Sequence, residues 1–230
     1  VQEAAPKAVM LENVKGFASA KFAEYRNRVI GALHEMGYQT GWRLVYASEH
    51  GVSQLRPRFI LIALLPEYAD FFRWPDPQPK PLSVGECLHD LMAAGGWPGA
   101  EAWARGADGI APTIVGGSKK HGGADLGPTR AKRAWAEFCV NGVSIGDAPP
   151  PASAPESHVP KLTNRMVARL QSFPDDWIFQ GRKTSQYRQI GNAFPPNVAE
   201  ALGRSLISAL EGKPQEVGSE AEELFSGELV

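Results

Sequence analysis

Three short segments carry residue types that can bind or polarise a ligand, and the first of them offers a carboxylate. Glu12-Asn13-Val14 comes directly after a predicted strand. In an open α/β sheet, ligands bind beyond the carboxyl ends of the strands, so Glu12 would face a ligand there. A surface glutamate that caps the following turn would have the same local sequence, and the segment alone leaves both interpretations open.

The second segment offers an amide and two guanidinium groups. Gln54, Arg56 and Arg58 are two residues apart, so in an extended chain their side chains share one face. Such a face suits carboxylates, phosphates or a carbonyl-bearing base. Pro57 places the segment at a sheet edge or a strand start. A charged edge that discourages aggregation is the alternative interpretation.

The third segment can present backbone groups. Gly191-Asn192 precedes Pro195-Pro196, which begin a predicted helix. A glycine beside a helix start lets the main chain approach a ligand closely. An ordinary turn has the same composition and remains the alternative.

The elements that must position these segments form an α/β pattern. Strands are predicted at Lys7–Leu11, Gln39–Ala47 and Phe59–Leu65. A helix is predicted at Ala20–Met36, because its apolar residues recur every three or four positions. A sheet of three strands is marginal alone and has an open edge, so we expect something to cover it.

The chain after residue 65 is mostly irregular. Ser83-Val84-Gly85-Glu86 is a capping box that predicts a helix through Met92, and a prolyl stretch predicts a surface loop at Asp147–Pro160. Further helices are predicted at Thr129–Phe138, Thr163–Gln171 and Pro195–Leu210. The predicted parts are a sheet fragment (1–65), an irregular insert (66–160), a helical closing segment (161–210) and a tail (211–230).

Charge is unevenly distributed along the chain. Residues 211–230 contain six glutamates against one lysine, whereas residues 1–210 carry a net charge of +4. We expect the acidic tail to be disordered. The basic excess lies at 115–133, where a solvated face or a nucleic-acid contact would look alike. Its cations are Lys119, Lys120, Arg130, Lys132 and Arg133, with His121 beside them.

The two cysteines exclude some classes of protein. Cys87 and Cys139 are too few for a disulfide framework or a Cys-rich zinc site, so we expect no metal and a reducing cytoplasm. Both are expected to be packing residues. Because no apolar run reaches the roughly 18–20 residues of a membrane helix, no membrane partner is expected.

Taken in order, the segments resemble the cytosine-5 DNA methyltransferases over about residues 7–210. Besides Glu12-Asn13-Val14, the similar stretches are Ala47–Arg58, Leu162–Arg165 with Arg169–Trp177, and Gln189–Pro196. The resemblance implies an α/β fold: the C-terminal part of a Rossmann-like methyltransferase sheet plus a small irregular DNA-recognition domain at 66–160. It also implies a bacterial, DNA-associated protein of a restriction–modification system.

The resemblance further implies methyl transfer from S-adenosylmethionine to C5 of a cytosine flipped out of double-stranded DNA. In this interpretation Glu12 is the partner of N3, and Arg58 with Arg56 orients O2 and Glu12. Gly191 and Asn192 are then cofactor contacts. With position and charge added, the DNA contacts are Gln54, Thr113, Lys119, Lys120, His121, Arg130, Lys132 and Arg133.

Two features of that family are missing from the chain. Members have a Gly-rich loop that holds S-adenosylmethionine and a Pro-Cys pair whose thiolate attacks the base, and both precede the Glu-Asn-Val motif. We therefore expect an N-terminal half or complementary subunit to bind most of the cofactor, and the chain alone to be inactive. A non-catalytic, sequence-specific DNA-binding module derived from the same family is the alternative.

Overall fold

The computed structural model describes residues 1–78, 80–117 and 123–213. Most of the acidic tail, and Lys119, Lys120 and His121, lie outside the described residues. The chain divides into two compact units. Unit 1 comprises Val1–Tyr46, Pro57–Gln78 and Ala199–Val230, and unit 2 comprises Ala47–Arg56 and Pro79–Val198. These boundaries differ from the predicted ones, because 47–56 belongs to unit 2 and 66–78 to unit 1.

Unit 1 contains a three-stranded antiparallel sheet. Its strands are β1 (Ala8–Val14), β2 (Gln39–Tyr46) and β3 (Pro57–Leu64), in the order β1-β3-β2. The central strand β3 is buried from Phe59 to Leu64, which explains its continuous apolar sequence. The predicted α/β class is confirmed.

Helix α1 (Ala23–Glu35) packs against one apolar face of the sheet in unit 1. Its Leu33 is buried in one cluster with residues of β1 and β3, including Val9, Phe59 and Leu61. The helix begins later than predicted, because Ala20–Phe22 form a 3-10 turn. A one-turn helix, α2 (Pro66–Ala69), follows β3.

Strand β1 is longer than predicted and lies at an edge of the sheet. It continues through Glu12, which pairs with Ile60, to Val14, so the prediction that the strand ends at Leu11 was wrong. All residues of β1 beyond Val9 are exposed, so no alternation of apolar and polar residues marks the strand in the sequence. No described strand pairs with its outer edge.

Unit 2 is built on short helices and irregular segments. They are α3 (Val84–Ala93), α4 (Ala100–Gly106), α5 (Thr129–Ala136), α6 (Asn164–Leu170) and α7 (Lys183–Asn192). A final helix, α8 (Pro196–Leu210), begins in unit 2 and continues in unit 1. The core of unit 2 includes the buried side chains of Trp97, Trp103 and Trp135.

The predicted capping box is confirmed. Ser83 Oγ accepts a hydrogen bond from the Glu86 amide at 3.2 Å, and the Glu86 carboxylate accepts one from the Ser83 amide at 2.8 Å. Thr163 Oγ accepts from the Met166 amide at 3.3 Å and begins α6. Within the described residues, no helix is long and apolar enough to cross a bilayer, and no group of three acidic, His or Cys side chains is arranged to hold a metal.

Candidate functional site

The sheet of unit 1 brings the predicted carboxylate of Glu12 to Arg58, the last residue of the second segment, Gln54–Arg58. Arg58 lies opposite Val14, so Glu12 is its diagonal neighbour on the same face of the sheet. The Nε of Arg58 lies 2.7 Å from Oε1 of Glu12. Nη1 of Arg58 also donates to the Pro57 carbonyl at 2.9 Å. The guanidinium is therefore oriented by two contacts.

Burial differs between the two partners. The Arg58 side chain is 12% exposed and the Glu12 side chain 36% exposed. Desolvation lowers the pKa of Arg58, and the charge of Glu12 opposes that shift. The buried guanidinium of Arg58 thus holds the Glu12 carboxyl group in place, and solvent and ligands can reach that carboxyl group. Such a pair can exchange a proton with a ring nitrogen and stabilise negative charge on an adjacent carbonyl oxygen.

Arg56 has a different environment from Arg58. Its side chain is 1% exposed. Its guanidinium donates to the carbonyls of Ile114, Gly191 and Ala193 at 3.1, 2.9 and 2.7 Å. The Arg56 backbone has φ of 26°, a costly conformation for a residue with a side chain. These contacts indicate a structural role in unit 2, in place of the predicted contact with a base.

Gln54 is also inside unit 2 and has no exposed surface. Its Oε1 accepts from the Ile114 amide at 2.8 Å, and its Nε2 donates to Gln171 Oε1 at 3.0 Å. The predicted DNA contact is therefore not available to this side chain. The expected common face of Gln54, Arg56 and Arg58 was wrong as well, because β3 begins only at Pro57 and the positive φ of Arg56 interrupts the alternation.

Gly191 is a packing residue at the end of α7. A Cβ built on Gly191 would lie 2.4 Å from the Cα of Gly116, so the two main chains meet where no side chain fits. Gly191 is buried, whereas Asn192 is exposed and donates from Nδ2 to the Gly117 carbonyl at 3.3 Å. Of the two predicted cofactor contacts, Asn192 alone has an accessible side chain.

The basic segment of unit 2 is only partly available for DNA. Arg130 and Arg133 are exposed on α5. Lys132 is half-buried, and its Nζ pairs with Asp125 at 3.1 Å. Thr113 is half-buried beside the buried Ile114. The structure therefore leaves two described cations, Arg130 and Arg133, as the exposed charges of this segment.

The cysteines do not supply an evident nucleophile. Cys87 is buried, and desolvation raises the pKa of its thiol, which disfavours the reactive thiolate. Cys139 is exposed, so the prediction that it is a packing residue was wrong. It follows Phe138 directly after α5, where the chain turns with φ of 52°.

Sequence reasoning missed Gln171 as a member of this arrangement. Gln171 is fully buried, and its Nε2 donates to the Ile190 carbonyl at 2.8 Å while its Oε1 accepts from Gln54. A glutamine at the end of the predicted Thr163–Gln171 helix, directly after Leu170, was the available signal. Gln54 and Gln171 together connect four segments of unit 2, around residues 54, 114, 171 and 190.

Comparison with known sequences gives a family and several relatives. The profile of the C-5 cytosine-specific DNA methylase family matches residues 1–208. The Type II methyltransferase M.NaeI of Lentzea aerocolonigenes is 57% identical over 225 residues, which are 96% of this chain and 54% of the relative. M.NgoMIV of Neisseria gonorrhoeae is 47% identical over 91% of this chain and 67% of its own length. The chain thus spans about half of the first relative and two thirds of the second.

Solved structures show a similar fold. The Entamoeba histolytica methyltransferase EhMeth matches 89% of this chain and 63% of its own length, with a TM-score of 0.55 and 15% identity. The Schizosaccharomyces pombe Dnmt2 methyltransferase matches 89% of this chain and 68% of its own length, with a TM-score of 0.52 and 17% identity.

Proposed function

Because this chain belongs to the C-5 cytosine-specific DNA methylase family, we propose that it is the C-terminal part of a DNA (cytosine-5-)-methyltransferase. The proposed reaction moves a methyl group from S-adenosylmethionine to C5 of a cytosine flipped out of the duplex. The observation that carries the proposal is the pair of Glu12 and Arg58, joined at 2.7 Å on one face of the sheet. The names of the Lentzea and Neisseria relatives favour a type II restriction–modification setting.

The chemistry of cytosine requires a pair of this kind. C5 is too weak a nucleophile to take a methyl group unless a thiolate first adds to C6. That addition places negative charge on the N3 and O2 edge of the ring. The Glu12 carboxyl group then donates a proton to N3, and the Arg58 guanidinium holds that carboxyl group and stabilises charge on O2.

Among the described residues, only a small part of the cofactor-binding site is expected. S-adenosylmethionine supplies the methyl group as a sulfonium. Gly191 is covered by Gly116 and cannot approach such a ligand, whereas the Asn192 amide is accessible. We therefore assign Asn192 as the cofactor contact of this chain and leave the main binding loop and the nucleophilic cysteine to an N-terminal portion.

The outer edge of β1 favours completion by that N-terminal portion. Met10 and Leu11 lie on opposite faces of the strand and are 38% and 39% exposed. A free strand edge with apolar residues on both faces matches the interior of a larger sheet, which is covered on both sides. A further strand added to β1 would satisfy its unpaired backbone groups.

DNA methylation by the completed protein is the experiment that tests the proposed function. The chain is joined to the N-terminal portion of a relative and incubated with unmethylated genomic DNA and labelled S-adenosylmethionine. Hydrolysis of the DNA should give the label in 5-methylcytosine. Label in N4-methylcytosine or N6-methyladenine would contradict the proposed chemistry. Duplex binding without any methylation would favour the non-catalytic DNA-binding module.

Helix α5 is proposed to contact the phosphates of the duplex through its exposed arginines. Replacing Arg130 and Arg133 with Ala should weaken binding to all duplexes alike. The slope of log affinity against log salt should flatten by about 1.8, because each phosphate contact contributes about 0.9. The measurement is a salt titration of the completed protein with several duplexes.

Lys132 provides the matched control on the same helix. Its ammonium already pairs with Asp125, so Lys132→Ala should change the salt slope far less than the arginine replacements. If all three replacements changed the salt slope equally, exposure on α5 would not determine which cations contact DNA. An unchanged slope in the double arginine variant would remove α5 from the interface.

A further inference from the structure

We propose that Trp177 and Ile178 of unit 2 form a docking surface for the N-terminal portion of the protein. The inference rests on the proposed function, which assigns the main cofactor loop and the nucleophile to that portion. Trp177 is 54% exposed, and Ile178, at 77%, is the most exposed large apolar side chain among the described residues. The proposed reaction gives neither of them a role.

The loop that carries these two residues, 172–181, is held by two arginines of α6. Arg165 donates from Nη2 to the Trp177 carbonyl at 2.8 Å. Arg169 donates from Nε to Oδ1 of Asp175 at 3.0 Å. The main chain around the apolar pair is therefore fixed before a partner binds, which lowers the entropic cost of docking.

The aromatic side chains of the 172–181 loop have two orientations. Phe173 and Phe179 pack against the core of unit 2, and their ring centres are 5.0 Å apart. The ring centre of Trp177 is 5.8 Å from that of Phe173, yet more than half of Trp177 is exposed. Tryptophan is enriched among the residues that contribute most to protein interfaces. A fixed loop that exposes a tryptophan beside an isoleucine therefore indicates an interface.

Both ends of the loop are bonded close to Asn192, the proposed cofactor contact at the end of α7. Ser172 Oγ accepts a hydrogen bond from the Asn197 amide at 3.3 Å. The Gln180 carbonyl accepts one from Nε2 of Gln189 at 2.8 Å. A polypeptide that binds S-adenosylmethionine together with Asn192 therefore reaches the neighbourhood of this loop. The N-terminal portion is for that reason the occupant that we assign to the apolar pair.

Charge around the loop favours a protein partner over DNA. Arg169 already pairs with two carboxylates, and Arg165 donates to main-chain carbonyls. Asp176 is exposed directly before Trp177, and no described cation forms an ion pair with it. Phosphates would meet an unpaired negative charge here, whereas a protein can cover the apolar pair with apolar residues of its own.

The test measures how much of the N-terminal portion the chain needs for methylation. The part of the Lentzea relative that this chain does not match is added as a second polypeptide, and label incorporation into DNA is followed against its concentration. Ile178→Asp should raise the half-saturating concentration by about 30-fold, as should Trp177→Ala, since both remove a central apolar contact. Trp177→Phe should keep most of the affinity, because the aromatic surface is largely retained.

Val143→Asp is the matched control. Val143 is also an apolar residue of unit 2 and is 67% exposed, but it lies outside the 172–181 loop. Its replacement should leave the half-saturating concentration unchanged. Fusion of the two polypeptides should restore methylation by the Ile178→Asp variant, since a linker raises the effective concentration to about the millimolar range. Thermal unfolding of the separate chain shows whether each variant keeps its fold.

The outcomes separate this inference from the proposed function. An unchanged half-saturating concentration, or an equal change with Val143→Asp, would overturn the inference while methylation still supported the proposed function. Loss of duplex affinity in the fused Ile178→Asp variant would overturn it in favour of DNA, and loss of self-association by the separate chain would overturn it in favour of a second copy. Calorimetric binding that Ile178→Asp weakens, without methylation by the parent pair, would support docking and contradict the proposed function alone.

Discussion

The chain alone is expected to transfer no methyl group from labelled S-adenosylmethionine to DNA. The described residues offer Cys87 and Cys139 as sulfur nucleophiles, and desolvation of buried Cys87 disfavours its thiolate. Cys139 follows Phe138, and no Pro-Cys pair occurs in the sequence. Without thiolate attack on C6, the Glu12–Arg58 pair has no developing charge to stabilise. The measurement is acid-precipitable label after incubation with unmethylated DNA.

Addition of an N-terminal portion is the matched arm of that experiment. The Lentzea relative is 57% identical to this chain, and the matched part covers 54% of its length. The part of that relative which this chain does not match, supplied as a second polypeptide or as a fusion, should restore label incorporation. Robust incorporation by the chain alone would show that a nucleophile and a donor site are already present in it. The proposal that an N-terminal portion supplies both would then be wrong.

Glu12→Gln in the completed enzyme should lower kcat by about 10²-fold or more, the contribution typical of a positioned acid. The amide can still accept a hydrogen bond from Arg58, but it cannot give a proton to N3. Duplex affinity should change little, because phosphates dominate binding to DNA. Single-turnover methylation and a binding titration, measured side by side, separate the two effects.

Glu200→Gln is the control for loss of a charge in unit 1. Glu200 forms an ion pair with Arg204 on α8 and has no part in the proposed chemistry. Its replacement should leave kcat within about twofold, since exposed ion pairs contribute little to stability. Near-normal turnover of Glu12→Gln would show that Glu12 is only a structural partner of Arg58 and does not donate a proton. Thermal unfolding of both variants shows whether the fold is intact.

Local patterns were sufficient for several elements of the fold. The apolar residues of β3 and the capping box at Ser83 each predicted an observed element. Helices α4 and α7 were not predicted. Helix α7 buries only Tyr187, Ile190 and Gly191 and has no side-chain cap, so neither periodicity nor a start signal marks it in the sequence.

The sequence predicted the Glu12–Arg58 pair of the candidate site but not the buried position of Arg56. The ion pair of Glu12 and Arg58 follows from two strands in register, and the resemblance to a family indicated its partners. The burial of Arg56 could not be read from its neighbours, because its carbonyl partners lie 58, 135 and 137 residues away in the chain. In the sequence alone, two arginines that flank a proline look equivalent, although one holds unit 2 together and the other backs a carboxylate.

The open edge of β1 also determines how the isolated polypeptide behaves in concentrated solution. Its first four residues, Ala8–Leu11, carry no charge, and natural proteins use charged or prolyl residues to keep such edges apart. Two copies can therefore join edge to edge through main-chain hydrogen bonds. We therefore expect the separate chain to be more soluble when a polypeptide that pairs with β1 is co-expressed, because a paired edge has no free backbone groups for a second copy.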